Sequence, residues 1–146
     1  MKRVLSLLLV TMGCGGPKPT TIYGIDFFAP PEIDLDRARL KRVVEVASQK
    51  WGVPILLYAG YTVSFTLTPV ACGIERSVAG CTFLKDIEVW AQVPDCLEAS
   101  SLLHELGHAS IGDPLHLDPR WRDTAAEWRE LVEGPNAHPD CWTKDW

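Results

Sequence analysis

Hydrophobic and polar positions alternate, cluster or recur every third or fourth residue in distinct stretches of this chain, and each stretch predicts an element. Residues 21–28 (TIYGIDFF) alternate weakly and predict a first strand. Over 34–51 the spacing becomes helical: Leu35, Ala38, Val43, Val46, Ala47 and Trp51 share a face, Asp34 suits the N-cap, and Gly52 and Pro54 follow the end. Residues 61–70 (YTVSFTLTPV) are β-branched, aromatic and alternating, which predicts a strand. Residues 86–93 place Ile87, Val89, Ala91 and Val93 against Glu88, Trp90 and Gln92, a second strand of the same kind. A helix follows at once, with Asp95 and Glu98 spaced for a capping box and Leu97, Leu102, Leu103 and Leu106 on its apolar side. Thr124 and Glu127 repeat the capping-box spacing at the start of a further helix.

The N-terminal stretch has a different pattern. MKR followed by VLSLLLVTMG is a basic segment and an apolar run too short to span a bilayer, which predicts a signal peptide over residues 1–13. Gly13-Cys14-Gly15-Gly16 resembles the lipobox of bacterial lipoproteins, although Thr11 and Met12 depart from it. The resemblance implies export, acylation at Cys14 and anchoring to the cell or outer membrane. The small, Pro-containing run after Cys14 then serves as tether over 14–22, leaving 23–146 as a single domain with a core of its own.

Charge and cysteine content narrow the picture further. The formal charge is −5, and no basic stripe interleaved with aromatics exists, so nucleic acid is excluded as a partner class. Arg37, Arg39, Lys41 and Arg42 read as the solvated face of a helix. Apart from Cys14, the four cysteines suit two disulfides in an exported chain, and three connectivities are open. The reading favoured is Cys72 with Cys81, closing a Gly-containing loop, and Cys96 with Cys141. The absence of any CxxC pair argues against a structural zinc on thiolates.

The chemistry concentrates in LLHELGHASIGDPLHLD, residues 102–118, which holds three of the four histidines. His104 and His108 are i and i+4 on one helix face, about 6 Å apart at Cβ, so two ring nitrogens can reach one ion. Zn2+ accepts neutral imidazole in a tetrahedral shell and in a catalytic site keeps a corner for water. Glu105, turned about 100° around the helix from His104, suits a general base outside that shell. The bland alternative is an exposed helix with two surface histidines. Against it stand the amphipathic helix, the third histidine, and Gly107, which costs a helix interior about 1 kcal/mol relative to Ala and marks a site or close packing.

These residues resemble the zincin metallopeptidases and, more loosely, small zincin-like bacterial lipoproteins. The resemblance implies an α+β domain with a small antiparallel sheet, one packing helix and the HExxH helix. It further implies His104 and His108 as ligands, Glu105 as base, and peptide binding along the strand at Ile87 to Val93. The metzincin form HExxHxxGxxH is not matched: Gly112 and His116 lie one and two residues late, and no methionine follows. A gluzincin form would use Glu127 or Glu130. His116 is the favoured third ligand because Gly112-Asp113-Pro114 stops the helix and a short loop returns the chain cheaply. Asp118 and Glu127 stay open as rivals. The expected activity is zinc-dependent hydrolysis of a peptide or protein substrate by an exported, lipid-anchored monomer, the alternative being an inactive metal- or partner-binding lipoprotein. Tyr58, Tyr61, Arg120 and His138 are the candidates by residue type for oxyanion stabilisation.

Overall fold

The structure is a computed structural model that describes residues 18–92 and 98–134. The leader, residues 14–17 of the expected tether, Asp95, Leu97, His138 and both cysteines of the expected Cys96–Cys141 bridge lie outside the described residues, while the tether's last residues, Thr20–Ile22, belong to the first strand. Within them the chain is α+β: β1 (Thr20–Ile22), β2 (Ile25–Phe28), α1 (Arg37–Trp51), β3 (Thr62–Thr66), β4 (Val70–Cys72), β5 (Glu75–Val78), β6 (Gly80–Phe83), β7 (Asp86–Trp90), α2 (Glu98–Ile111) and α3 (Ala125–Glu133).

The main sheet has the order β1-β2-β3-β7-β6, and β4 pairs with β5 in a separate antiparallel ribbon. The expected antiparallel sheet is therefore corrected to a mixed one. β2, β3 and β7 run parallel, while β1 and β6 run antiparallel at the two edges. Parallel neighbours need a crossover, and α1 supplies it between β2 and β3. The single strand expected over 21–28 is a hairpin instead. Tyr23 (φ 53°) and Gly24 (φ 79°) both take positive φ, the geometry of a two-residue turn that suits strand twist. The stretch from 61 to 70 also divides: β3 ends at Thr66, whose hydroxyl donates to the Thr68 carbonyl (2.7 Å), and Val70 opens β4.

One face of the sheet carries the core. Ile25 and Phe27, Val63 and Phe65, and Ile87 and Val89 are buried at alternate positions, as period-2 strands require. Against them pack α1, through Leu40, Val43, Val44, Ala47 and Trp51, and α2, through Leu102, Leu103 and Leu106. The N-cap of α1 is Asp36, not Asp34: its carboxylate accepts from the Ala38 (2.7 Å) and Arg39 (3.2 Å) amides. Gly52 closes α1 in the left-handed conformation, as expected. The helix expected after Thr124 is α3, which adds Trp128 and Val132 to the core beside the packing helix α1, and Arg39 pairs with Glu133 across to it. Cys72 and Cys81 are joined, so the bridge ties the β4–β5 ribbon to edge strand β6.

The glycine inside the motif helix is explained by packing. A Cβ at Gly107 would lie 2.6 Å from both Trp121 Cη2 and Trp51 Cζ2. Trp51 is itself held by its indole N–H on the Leu103 carbonyl (3.1 Å) and by ring contact with Trp121 at 4.5 Å. Alanine would gain about 1 kcal/mol of helix propensity, but driving a methyl into two rigid indoles costs about 1–3 kcal/mol or more. Gly107→Ala is therefore expected to lower the thermal midpoint by several degrees, measured by calorimetry; a raised midpoint would show that the indoles yield freely.

Candidate metal centre

α2 presents His104 and His108 on one face, and the chain then leaves the helix at Gly112, whose φ of 60° and N–H to the His108 carbonyl (3.0 Å) end it. The return loop brings His116 back. The Nε2 atoms of His104 and His108 are 3.1 Å apart, and each lies 3.2 Å from that of His116. A tetrahedral ion with bonds of about 2.0–2.1 Å has ligand atoms about 3.3 Å apart, so this triangle has the size of one coordination face. Among the described residues this is the one group of His, Cys, Asp and Glu side chains that could hold a metal ion.

The electrostatics favour neutral imidazoles with lone pairs for a cation. His104 is held down to about 3, chiefly by burial and then by the neighbouring His108 and His116. His108 is lowered by burial and by His116, opposed by its hydrogen bond to the Asp113 main-chain carbonyl and by the Asp113 carboxylate. That carbonyl can only accept, so the other ring nitrogen of His108 carries the proton and Nε2 is left as the acceptor.

Asp118 and Glu127 are engaged elsewhere. Asp118 caps the short 3-10 turn Pro119–Arg122 and takes both Nε (2.8 Å) and Nη2 (2.7 Å) of Arg120. Glu127 closes a capping box with Thr124 at the start of α3, as its spacing predicts. Glu105 faces β6 instead of the histidine triangle. Thr82 Oγ1 donates to its Oε2 at 2.7 Å and also lies 3.0 Å from the Glu105 main-chain carbonyl. Burial pushes the Glu105 carboxyl up to about 7, against the lowering effect of that hydrogen bond. Gly80 makes room for it, since a Cβ there would come within 2.7 Å of Glu105 Cγ and 2.8 Å of Oε1.

The three histidines, Glu105, Gly80 and Thr82 line one open cleft of about 1040 Å³. Its upper wall corrects the sequence reading. β7, expected to be the peptide-binding strand, is paired on both sides, by β3 and by β6, and so has no main-chain groups to offer. The edge is β6. Trp90 N–H bonds the Ala79 carbonyl (2.8 Å), and alternation along an antiparallel pair then turns the main-chain groups of Gly80 and Thr82 away from β7. The cleft's edge thus comes from GCTF, which is too short and too poor in large apolar residues to be read as a strand from sequence.

The candidates for oxyanion stabilisation separate. Tyr58 is buried, bonded to Ser110 Oγ (2.6 Å) and pushed up to about 12 by burial. Arg120 is committed to Asp118 and the Trp51 carbonyl. Tyr61 lines the cleft. No protein-family model, curated protein or solved structure matches this chain, so its chemistry rests on its own geometry.

Proposed function

We propose that this chain is a zinc-dependent peptidase of zincin type, exported and held at a membrane through Cys14, acting as a monomer on peptide or protein substrates. The observation that carries this reading is the triangle of Nε2 atoms with a buried carboxylate on the same helix, kept out of the triangle by Thr82. An all-imidazole donor set suits zinc better than magnesium or calcium, which take oxygen ligands. When bound, zinc polarises a carbonyl oxygen and makes water a competent nucleophile near neutral pH. His104, His108 and His116 would hold it. Glu105, with Oε2 fixed by Thr82, takes the proton from the attacking water and passes it to the leaving amine. An extended substrate adds along β6, with Gly80 and Thr82 supplying main-chain hydrogen bonds. The Cys72–Cys81 bridge supports a compartment that keeps disulfides oxidised.

The test is zinc analysis of the purified protein combined with assay on casein and a peptide pool. One zinc per chain is expected, with hydrolysis abolished by chelation and restored by zinc. A zinc-loaded protein that cleaves nothing would leave metal or partner binding as the function. A protein with no affinity for metal would overturn the reading altogether.

A further inference from the structure

His116 stands in an unfavourable place for a ligand. Its φ is +54°, in the left-handed region that costs a non-glycine residue about 1 kcal/mol or more. It is exposed, and its neighbours Leu115 and Leu117 are 73% and 79% exposed, so no apolar anchor fixes the loop that carries it. A strained residue on an unanchored loop keeps its geometry only if other contacts determine it.

Those contacts converge on one carboxylate. Asp113 Oδ1 accepts the Leu115 amide (3.2 Å), and Oδ2 accepts the Asp118 amide (2.7 Å) and the Trp121 indole N–H (3.2 Å). The Leu117 amide also bonds Asp113, and these donors, the Asp118 amide foremost, hold its carboxyl below the usual range against the opposing effect of burial. The main-chain donors on both sides of His116 thus close on a single side chain. The indole that completes the set is packed against all three imidazoles, with ring centroids 4.8 Å from His104, 4.8 Å from His108 and 4.5 Å from His116. Behind, Trp121 rests on Trp51 and Trp128. It joins the rigid core to the back of the histidine cluster and to the hub of the loop.

We infer that Asp113 and Trp121 are the positioning residues of the metal centre: Asp113 folds the 112–118 loop so that His116 meets the α2 histidines, and Trp121 locks that hub to the three rings. The inference rests on the metal reading above. Asp113 acts through the loop that carries His116, and Trp121 through its packing on all three rings.

The experiment uses the full chain, stripped of metal and titrated with Zn2+ against a chromophoric chelator and with Co2+ followed by its visible absorption. Asp113→Ala should weaken Zn2+ binding about 10–100-fold, the usual effect of removing a group that orients a ligand. Trp121→Phe, which keeps a ring but loses the N–H to Asp113, should weaken it in the same direction by less. In both, the intense Co2+ bands of a four-coordinate site should fade toward those of a looser, more hydrated one, while the melting point of metal-free Asp113→Ala protein moves little. A merely structural role would shift that melting point and leave the cobalt spectrum of the folded fraction unchanged, and this outcome overturns the inference. The double variant Asp113→Ala/His116→Ala should bind little more weakly than His116→Ala alone, because the Asp113 carboxylate acts chiefly through the His116 loop and alanine keeps the main-chain carbonyl that His108 bonds. Additive losses would overturn it too. Wild-type protein that binds neither Zn2+ nor Co2+ would refute the metal reading itself, whereas normal binding by both variants refutes only the hub.

Discussion

Glu105→Gln is expected to retain one zinc per chain and to lose all but about a hundredth to a ten-thousandth of peptide hydrolysis, the range ascribed to a positioned general base. The substitution is nearly isosteric, which matters here: Gly80 leaves no space beyond the atoms Glu105 already fills. Glutamine keeps an oxygen to accept from Thr82 Oγ1, so the side chain has its present partner and the histidine triangle is not disturbed. What disappears is the ability to take a proton from water and return it. Activity of the zinc-loaded variant on a peptide pool, set beside its zinc content, separates the outcomes. Loss of zinc together with activity would make Glu105 a ligand or a structural support, and full activity would remove it from the chemistry.

Local pattern carried much of the fold, and long-range pairing is where it fell short. The buried face of α1, its glycine cap and the strand at β7 follow from periodicities that any chain segment displays by itself. The parallel arrangement of β2, β3 and β7 does not, because register and neighbour order depend on which buried faces meet in three dimensions. Continuous β-propensity over 61–70 hid a strand that stops at Thr66 and changes sheet. The hairpin at Tyr23-Gly24 was concealed by an ordinary residue in a conformation that usually signals glycine or asparagine.

The candidate site divides along the same line. His104, Glu105 and His108 share a helix, so their spacing alone places them. Asp113, Trp121, Thr82 and Gly80 have no spacing signal toward them: the first was readable only as a turn residue, the second as one more tryptophan, and the last two belong to a four-residue strand distant in sequence. Gly107 is the exception. A glycine breaking a good amphipathic helix announced a site or close packing, and the two indoles beside it account for it by packing.

His116 joins the local and the distant parts, and its removal has the largest expected effect on the metal. Apparent zinc affinities of structural sites are worth about 10–16 kcal/mol over four ligands, so one ligand contributes on the order of 3 kcal/mol, or about 100-fold in dissociation constant. His116→Ala should weaken zinc by at least that much. Glu127→Ala should leave zinc affinity unchanged, since Glu127 is held in its capping box with Thr124, and it should register instead as a small loss of α3 stability. Asp118→Ala should fall between, because its carboxylate anchors Arg120 and caps the turn that follows the His116 loop, while its amide bond to Asp113 survives the substitution. Competition titration of the three variants under one buffer ranks them directly. Zinc lost from the Glu127 variant and kept by the His116 variant would place the third ligand on α3 and require a rearrangement of the loop that now brings three imidazole nitrogens within 3.2 Å of one another.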